Sequence, residues 1–109
     1  EQPFCIETSL LPDALVPGLD RDALQNGSSL YRLLEKEYNL HASTSQDEWS
    51  IAPSTQEEAE LLQLPQGTPI LLMRSVIYDQ HGRPIEYLKS VNHPGRVIFR
   101  SHRSIRPFN

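Results

Sequence analysis

The sequence is short of cysteine, of aromatic residues and of long apolar runs, and each shortage removes a class of protein. Cys5 stands alone among 109 residues, so neither an intramolecular disulfide nor a cysteine-based zinc site can form. Flanked by Phe4 and Ile6, it reads as a strand position rather than a reactive thiol. The longest nearly apolar stretch, Ile70 to Tyr78, is broken by Arg74 and Ser75. It falls far short of the ~20 residues a membrane-spanning helix needs, so no membrane partner is expected. No basic segment followed by an apolar one opens the chain, so no secretory signal is expected. A single thiol and no export signal fit a cytoplasmic protein. Glu1 stands where a methionine would, which reads as a fragment or a processed product.

Positive charge is also scarce. The net charge of −4 argues against an autonomous nucleic-acid binder, which would carry a basic face. The balance is uneven, because Arg83, Lys89, Arg96, Arg100, Arg103 and Arg106 face only Glu86 in the last quarter of the chain. Catalytic and cofactor motifs are missing as well. There is no Gly-x-Gly-x-x-Gly, no P-loop and no strand–Ser–helix elbow. His41, His81, His93 and His102 are spread through polar segments without metal-ligand spacing. No cofactor and no metal are expected.

What is present is the pattern of one α+β domain. Phe4 to Ser9 reads as a strand stopped by Leu11-Pro12. A loop follows to Gly27, with helical turns at Pro12–Leu15 and Asp20–Leu24. Ser28 to Tyr38 predicts a helix, since Leu30, Leu33, Leu34 and Tyr38 fall on one face. Ser28 or Ser29 can cap its start, and Asn39 suits a left-handed residue past its end. His41 to Ile51 reads as an edge-like strand. Ser54 to Leu64 predicts a second helix, with capping-box spacing at both Ser54/Glu57 and Thr55/Glu58. Ile70 to Tyr78 is the strongest strand, rich in aliphatic and β-branched residues. Asp79-Gln80-His81-Gly82 turns the chain into a partner strand, Arg83 to Val91. After the turn at Asn92-His93-Pro94-Gly95, Arg96 to Ile105 reads as a last, arginine-rich strand.

Two features can carry chemistry. Asn26-Gly27-Ser28-Ser29-Leu30 opens a helix, where free N–H groups, the dipole and two hydroxyls form either an ordinary cap or a cradle for phosphate or carboxylate. Glu7, Arg74 and Glu86 place charge inside apolar strands. Such groups either face solvent on an open sheet or turn inward, where they must be paired or hydrogen-bonded. Alternation puts Cys5, Glu7 and Ser9 on one face, and Glu86, Leu88 and Ser90 on one face. If the chain were an enzyme, Glu86 with Arg74 would be the acid–base candidates.

Three runs, in order and spacing, resemble a known family. They are Ser29-Leu30-Tyr31-x-Leu33-Leu34-Glu35-x-x-Tyr38, Glu58-Ala59-x-Leu61-Leu62-x-Leu64-Pro65-x-Gly67-Thr68-Pro69, and Tyr78-Asp79-x-x-Gly82-Arg83-Pro84-Ile85-Glu86-Tyr87. With Ile6-Glu7-Thr8-Ser9-x-Leu11-Pro12 ahead of them, they resemble the UTRA domain, the effector-binding module of HutC-type GntR-family transcriptional regulators. The resemblance covers residues 3 to 100. It implies the chorismate-lyase fold, an antiparallel sheet with packed helices, and a single domain over 1–109 truncated at its N-terminus. It implies a non-enzymatic domain that binds a small polar or anionic metabolite, such as a sugar phosphate or amino acid. A homodimer is also implied, with DNA bound only through an absent N-terminal winged-helix domain. Position by position, Glu7 matches an acid on the strand before Leu-Pro. Ser28 and Ser29 match the helix start that caps the ligand's anionic group. Arg74 matches a basic position on the central strand, and Glu86 an acid that contacts a ligand hydroxyl or amine. Asn92 stands where a ligand-contacting tyrosine is usual, which implies a different or smaller effector. The alternatives are a small lyase-type enzyme on the same fold and a purely structural dimerisation module.

Overall fold

A computed structural model describes residues 2–20 and 29–105. Strong β-formers and well-placed turn residues set four strands: β1 (Cys5–Leu10), β2 (Ala42–Pro53), β3 (Pro69–Asp79) and β4 (Pro84–Asn92). They form one antiparallel sheet in the order β1-β4-β3-β2. Two helices, α1 (Leu30–Tyr38) and α2 (Gln56–Leu62), pack on it. This is the α+β antiparallel architecture that the sequence predicts, and β2 lies at the sheet edge as expected. A short 3-10 turn at Asp13–Leu15 realises the first predicted loop turn. The second, at Asp20–Leu24, falls almost wholly outside the described residues.

The helix ends follow local chemistry. Asn39 closes α1 in the left-handed conformation at φ 53°. Of the two capping boxes the sequence allows, Thr55/Glu58 forms: the Thr55 hydroxyl accepts from the Glu58 N–H, and the Glu58 carboxylate accepts from the Thr55 N–H. Ser54 forms no cap: its N–H donates to the Thr68 carbonyl at the sheet end, and its buried hydroxyl has no hydrogen-bond partner among the described residues.

Side chains alternate across each strand, so the register assigns the two faces. Glu7, Ser90, Met73 and Trp49 lie in one row across the sheet, and Ser9, Leu88, Ser75 and Asp47 in the next row on the same face. The opposite face carries Ile6, Val91 and Leu72 in one row, and Thr8, Lys89, Arg74 and Glu48 in the next. α1 covers the first face. Leu34 is fully buried there with Val16, Leu40, Ile77 and Ile85, and Leu88 packs against them. α2 covers the other face, where Leu62 packs with Ile70, Leu72 and Val91. The two helices therefore cap opposite faces of one sheet.

A register shift between Ile77 and Tyr78 leaves Ile85 as an extra residue at the start of β4. Such a bulge re-aims neighbouring side chains. Here it lets two consecutive residues, Ile85 and Glu86, both be buried, at 1% and 4% exposure.

The last predicted strand does not form. Residues 97–105 have no regular structure, and Ile98, Phe99 and Ile105 are exposed. Both edges of β4 are already occupied, by β1 and β3, so the alternating pattern has no adjacent ladder to join. The segment instead crosses near β2, where the Phe99 and Trp49 rings meet edge to face at 4.4 Å.

Candidate functional site

The site is built around Glu86. β4 carries it on the face beneath α1, and burial of a carboxylate is costly unless its oxygens are hydrogen-bonded. Both are. The Ser9 hydroxyl donates to Oε2 at 2.5 Å, and the Tyr31 hydroxyl donates to Oε1 at 2.6 Å. Among the described residues no Lys, Arg or His forms an ion pair with it. The result is an acceptor held in place by a donor from the neighbouring strand and a donor from the helix, without a fixed countercharge.

Glu7 lies on the same face as Ser9, opposite Ser90 of β4, and is exposed. Its charge reaches both the Tyr31 phenol and the Cys5 thiol. Tyr31 is held protonated well above the usual phenol range, first by burial, then by its hydrogen bond to Glu86 and the charges of Glu86 and Glu7. Burial, with Glu7 as a second cause, also raises the Cys5 thiol. That keeps Cys5 in its neutral, unreactive form, as its strand setting suggests.

Ser29 sits at the N-cap of α1, two positions before Tyr31, and is exposed. Its hydroxyl makes no capping hydrogen bond, and the first turn of α1 carries no acid. Ordinary capping therefore does not account for this serine. Tyr31, in the first turn, ties this positive helix end to Glu86. Ser28 lies outside the described residues.

Arg74 is not part of this arrangement. It is exposed on the face opposite Glu86, and its Nη1 donates to the Tyr87 hydroxyl at 2.9 Å. The register pairs Arg74 with Lys89 and Glu86 with Ile77, so the two charges cannot share a cleft. The acid–base pair on which an enzyme reading rests is thereby lost. Asn92 is on the Glu86 face but roughly 20 Å further along β4 at the usual rise per residue. It is buried, and its amide is consumed internally: Nδ2 donates to the Leu71 and Ser90 carbonyls, and Oδ1 accepts from the Ser90 hydroxyl. It lines a separate, largely apolar hollow of about 290 Å³ with Ile51, Leu71, Pro94 and Val97. So the structure joins Ser9 and Tyr31 to Glu86, with Ser29 two positions before Tyr31; Glu7 lies on the same face opposite Ser90, between the rows of Glu86 and Asn92, and Arg74 lies on the opposite face.

Two members of the cluster, Ser9 and Tyr31, are not picked out as site residues by sequence reasoning. Ser9 carried a usable signal, since alternation puts it on the face of Glu7. Tyr31 did not. A tyrosine one residue into an amphipathic helix reads as packing until the sheet beneath is known.

With this geometry in hand, comparison with known proteins is direct. The UTRA domain family model matches residues 1–97, and the chain belongs to that family. It is 33% identical over 97 residues to the HTH-type transcriptional repressor NagR of Bacillus subtilis, covering 89% of this chain and 39% of the repressor. The effector domain of PhnF from Mycobacterium smegmatis superposes with a TM-score of 0.83 at 28% identity, over 94% of this chain and 62% of that one. The ligand-binding domain of a GntR-family transcriptional regulator from Bordetella bronchiseptica shares the fold, with a TM-score of 0.86 at 23% identity, over 94% of this chain and 65% of that domain. The chain thus spans about two fifths of the length of the curated repressor it matches. These relatives are regulators, and none of them favours the lyase alternative.

Proposed function

We propose that this chain is the effector-sensing part of a bacterial transcriptional regulator, acting in the cytoplasm as a homodimer and without turnover of its ligand. The ligand is a small polar metabolite with two unlike ends. A hydroxyl or ammonium donates to Glu86, with Glu7 and Ser9 beside it. An anionic group, such as a phosphate or carboxylate, sits at the start of α1, where Ser29 is exposed and the first helical N–H groups lack intrahelical acceptors; Ser28 is the adjoining hydroxyl in sequence. The observation that carries this reading is the buried Glu86 carboxylate, hydrogen-bonded on both oxygens yet lacking a countercharge among the described residues. Such an acceptor is primed for a donor-bearing partner.

Coupling to DNA is a population shift. The ligand favours one arrangement of the dimer over another, typically by about 1–3 kcal/mol, and so changes the placement of DNA-binding domains joined to this one. Titration calorimetry against sugar phosphates, amino acids and phosphonates tests the proposal. One class should bind, and Glu86→Gln should weaken that binding by at least about tenfold. Silence across the panel from a folded protein counts against it.

A further inference from the structure

We infer that Tyr31 is a displaceable latch: its phenol occupies the ligand's place on Glu86 in the free protein, and a bound donor replaces it and frees the start of α1. The inference rests on Glu86 being the effector site, as proposed above, and adds how binding there is converted into movement.

The two donors on Glu86 are held differently. Ser9 belongs to β1, whose whole length pairs with β4, the strand that carries Glu86. The sheet ladder fixes that hydrogen bond, and a ligand cannot remove it without unzipping a strand. Tyr31 belongs to α1, which is held to the sheet by side-chain packing around Leu34. Tyr31 is 38% exposed, against 4% for Glu86. On the α1 side the phenol is thus the more open of the pair, while a hollow lined by Leu10, Pro12, Val76, Pro84 and Tyr87 reaches Glu86 from elsewhere.

Exchange at Oε1 costs little because one hydrogen bond replaces another. An ammonium gains more than a phenol can, since it also brings a positive charge, which no described residue pairs with this carboxylate. The phenol is thus a placeholder: it satisfies Oε1 when no ligand is present and yields to a stronger donor.

The consequence is local and directional. The far end of α1 stays anchored, because Leu34 is fully buried and the Tyr38 hydroxyl donates to the Pro17 carbonyl at 2.9 Å. Release of Tyr31 removes the first turn's hydrogen bond to β4 and leaves Leu30, packed against the Leu34 core, as that turn's hold on the sheet. Ser29 lies on that turn, so the two ends of the site become coupled: a donor on Glu86 repositions the helix start that receives the anion.

The test compares wild type, Tyr31→Phe and Glu86→Gln by amide hydrogen exchange, with and without D-glucosamine. This probe carries hydroxyls and an ammonium but no anion. Without probe, Tyr31→Phe should speed exchange at the Leu33 amide, which closes the first turn of α1 on the Ser29 carbonyl, by about tenfold, the worth of one such hydrogen bond, and leave the last turn of α1, β3 and β4 unchanged. Glucosamine should speed α1 exchange in wild type, add nothing in Tyr31→Phe, and bind Tyr31→Phe several-fold more tightly because the competing phenol is gone. Unchanged α1 exchange in ligand-free Tyr31→Phe overturns the latch. So does weaker glucosamine binding by Tyr31→Phe, which would make Tyr31 a ligand contact, or no effect of glucosamine on wild-type exchange. Binding that is indifferent to Glu86→Gln instead overturns the effector site itself, so the two failures are told apart.

Discussion

The Ser9 hydroxyl on β1 and the Glu86 carboxylate on β4, 77 positions apart in the chain, meet in a 2.5 Å hydrogen bond. The register makes the contact: Ser9 lies opposite Leu88, and Glu86 is the next residue of β4 on that face. A strand pair thus presets one side of the acceptor before any ligand arrives. Ser9→Ala should cost about 1–2 kcal/mol, as a hydrogen bond to a charged group at a partly exposed position does. Urea denaturation measures it, and an unchanged midpoint would deny the contact a role in stability.

The Tyr31 phenol sets the alkaline limb. Its ionisation is raised above 10.0 by burial first and by Glu86 and Glu7 after it. A group whose pKa is raised on folding contributes stability that is complete below its unfolded value and is lost as pH climbs through the folded one. Stability should therefore decline above about pH 10, and Tyr31→Phe should flatten that decline. Ultraviolet titration of the folded protein should show a late alkaline step that Tyr31→Phe lacks.

Asp79 sets part of the acid limb with the opposite sign. Burial alone would raise its carboxyl, but the backbone N–H groups of Arg83 and His81 and the Arg83 guanidinium, at 2.9 Å, outweigh it and hold the group below 3.8. A depressed pKa contributes stability that is present above the unfolded value and lost as pH falls through the folded one. Asp79→Asn should be less stable at neutral pH and show a shallower loss of stability below about pH 4. Denaturation midpoints measured across acid pH check it.

Leu34 and Leu62 offer a control for where function resides. Both are fully buried, Leu34 on α1 and Leu62 on α2, against opposite faces of the sheet. Truncating either to alanine should cost about 2–5 kcal/mol. Only Leu34→Ala should also weaken ligand binding beyond its effect on the folded fraction, because α1 carries Ser29 and Tyr31. Equal loss of binding in both variants would detach the site from α1.

Much of this fold is legible in the sequence because local signals agree. The spacing of Leu30, Leu34 and Tyr38 and the stop at Asn39 define α1. The β-branched run of β3 and the Asp79–Gly82 turn define the hairpin. Alternation alone puts Glu7 and Ser9 on one face. Relations set by register are not legible. Arg74 and Glu86 both look like charges in apolar strands, and a slip of one residue would have put them on the same face. The bulge at Ile85, which no residue type announces, helps fix where Glu86 points. Alternation from Arg96 to Ile105 predicts a strand, but pairing needs a free edge, and the topology denies β4 one. Asn92 illustrates the same limit, since a buried amide can bond to its own strand as readily as to a ligand.

The most direct measurement is a map of backbone and side-chain NMR shifts on adding the metabolite that calorimetry selects. The account predicts perturbations centred on Glu7, Ser9, Ser29, Tyr31 and Glu86, on the α1 face, with Arg74 and Tyr87 quiet. Perturbations centred on Arg74 and Tyr87, or confined to the hollow beside Asn92, would contradict it.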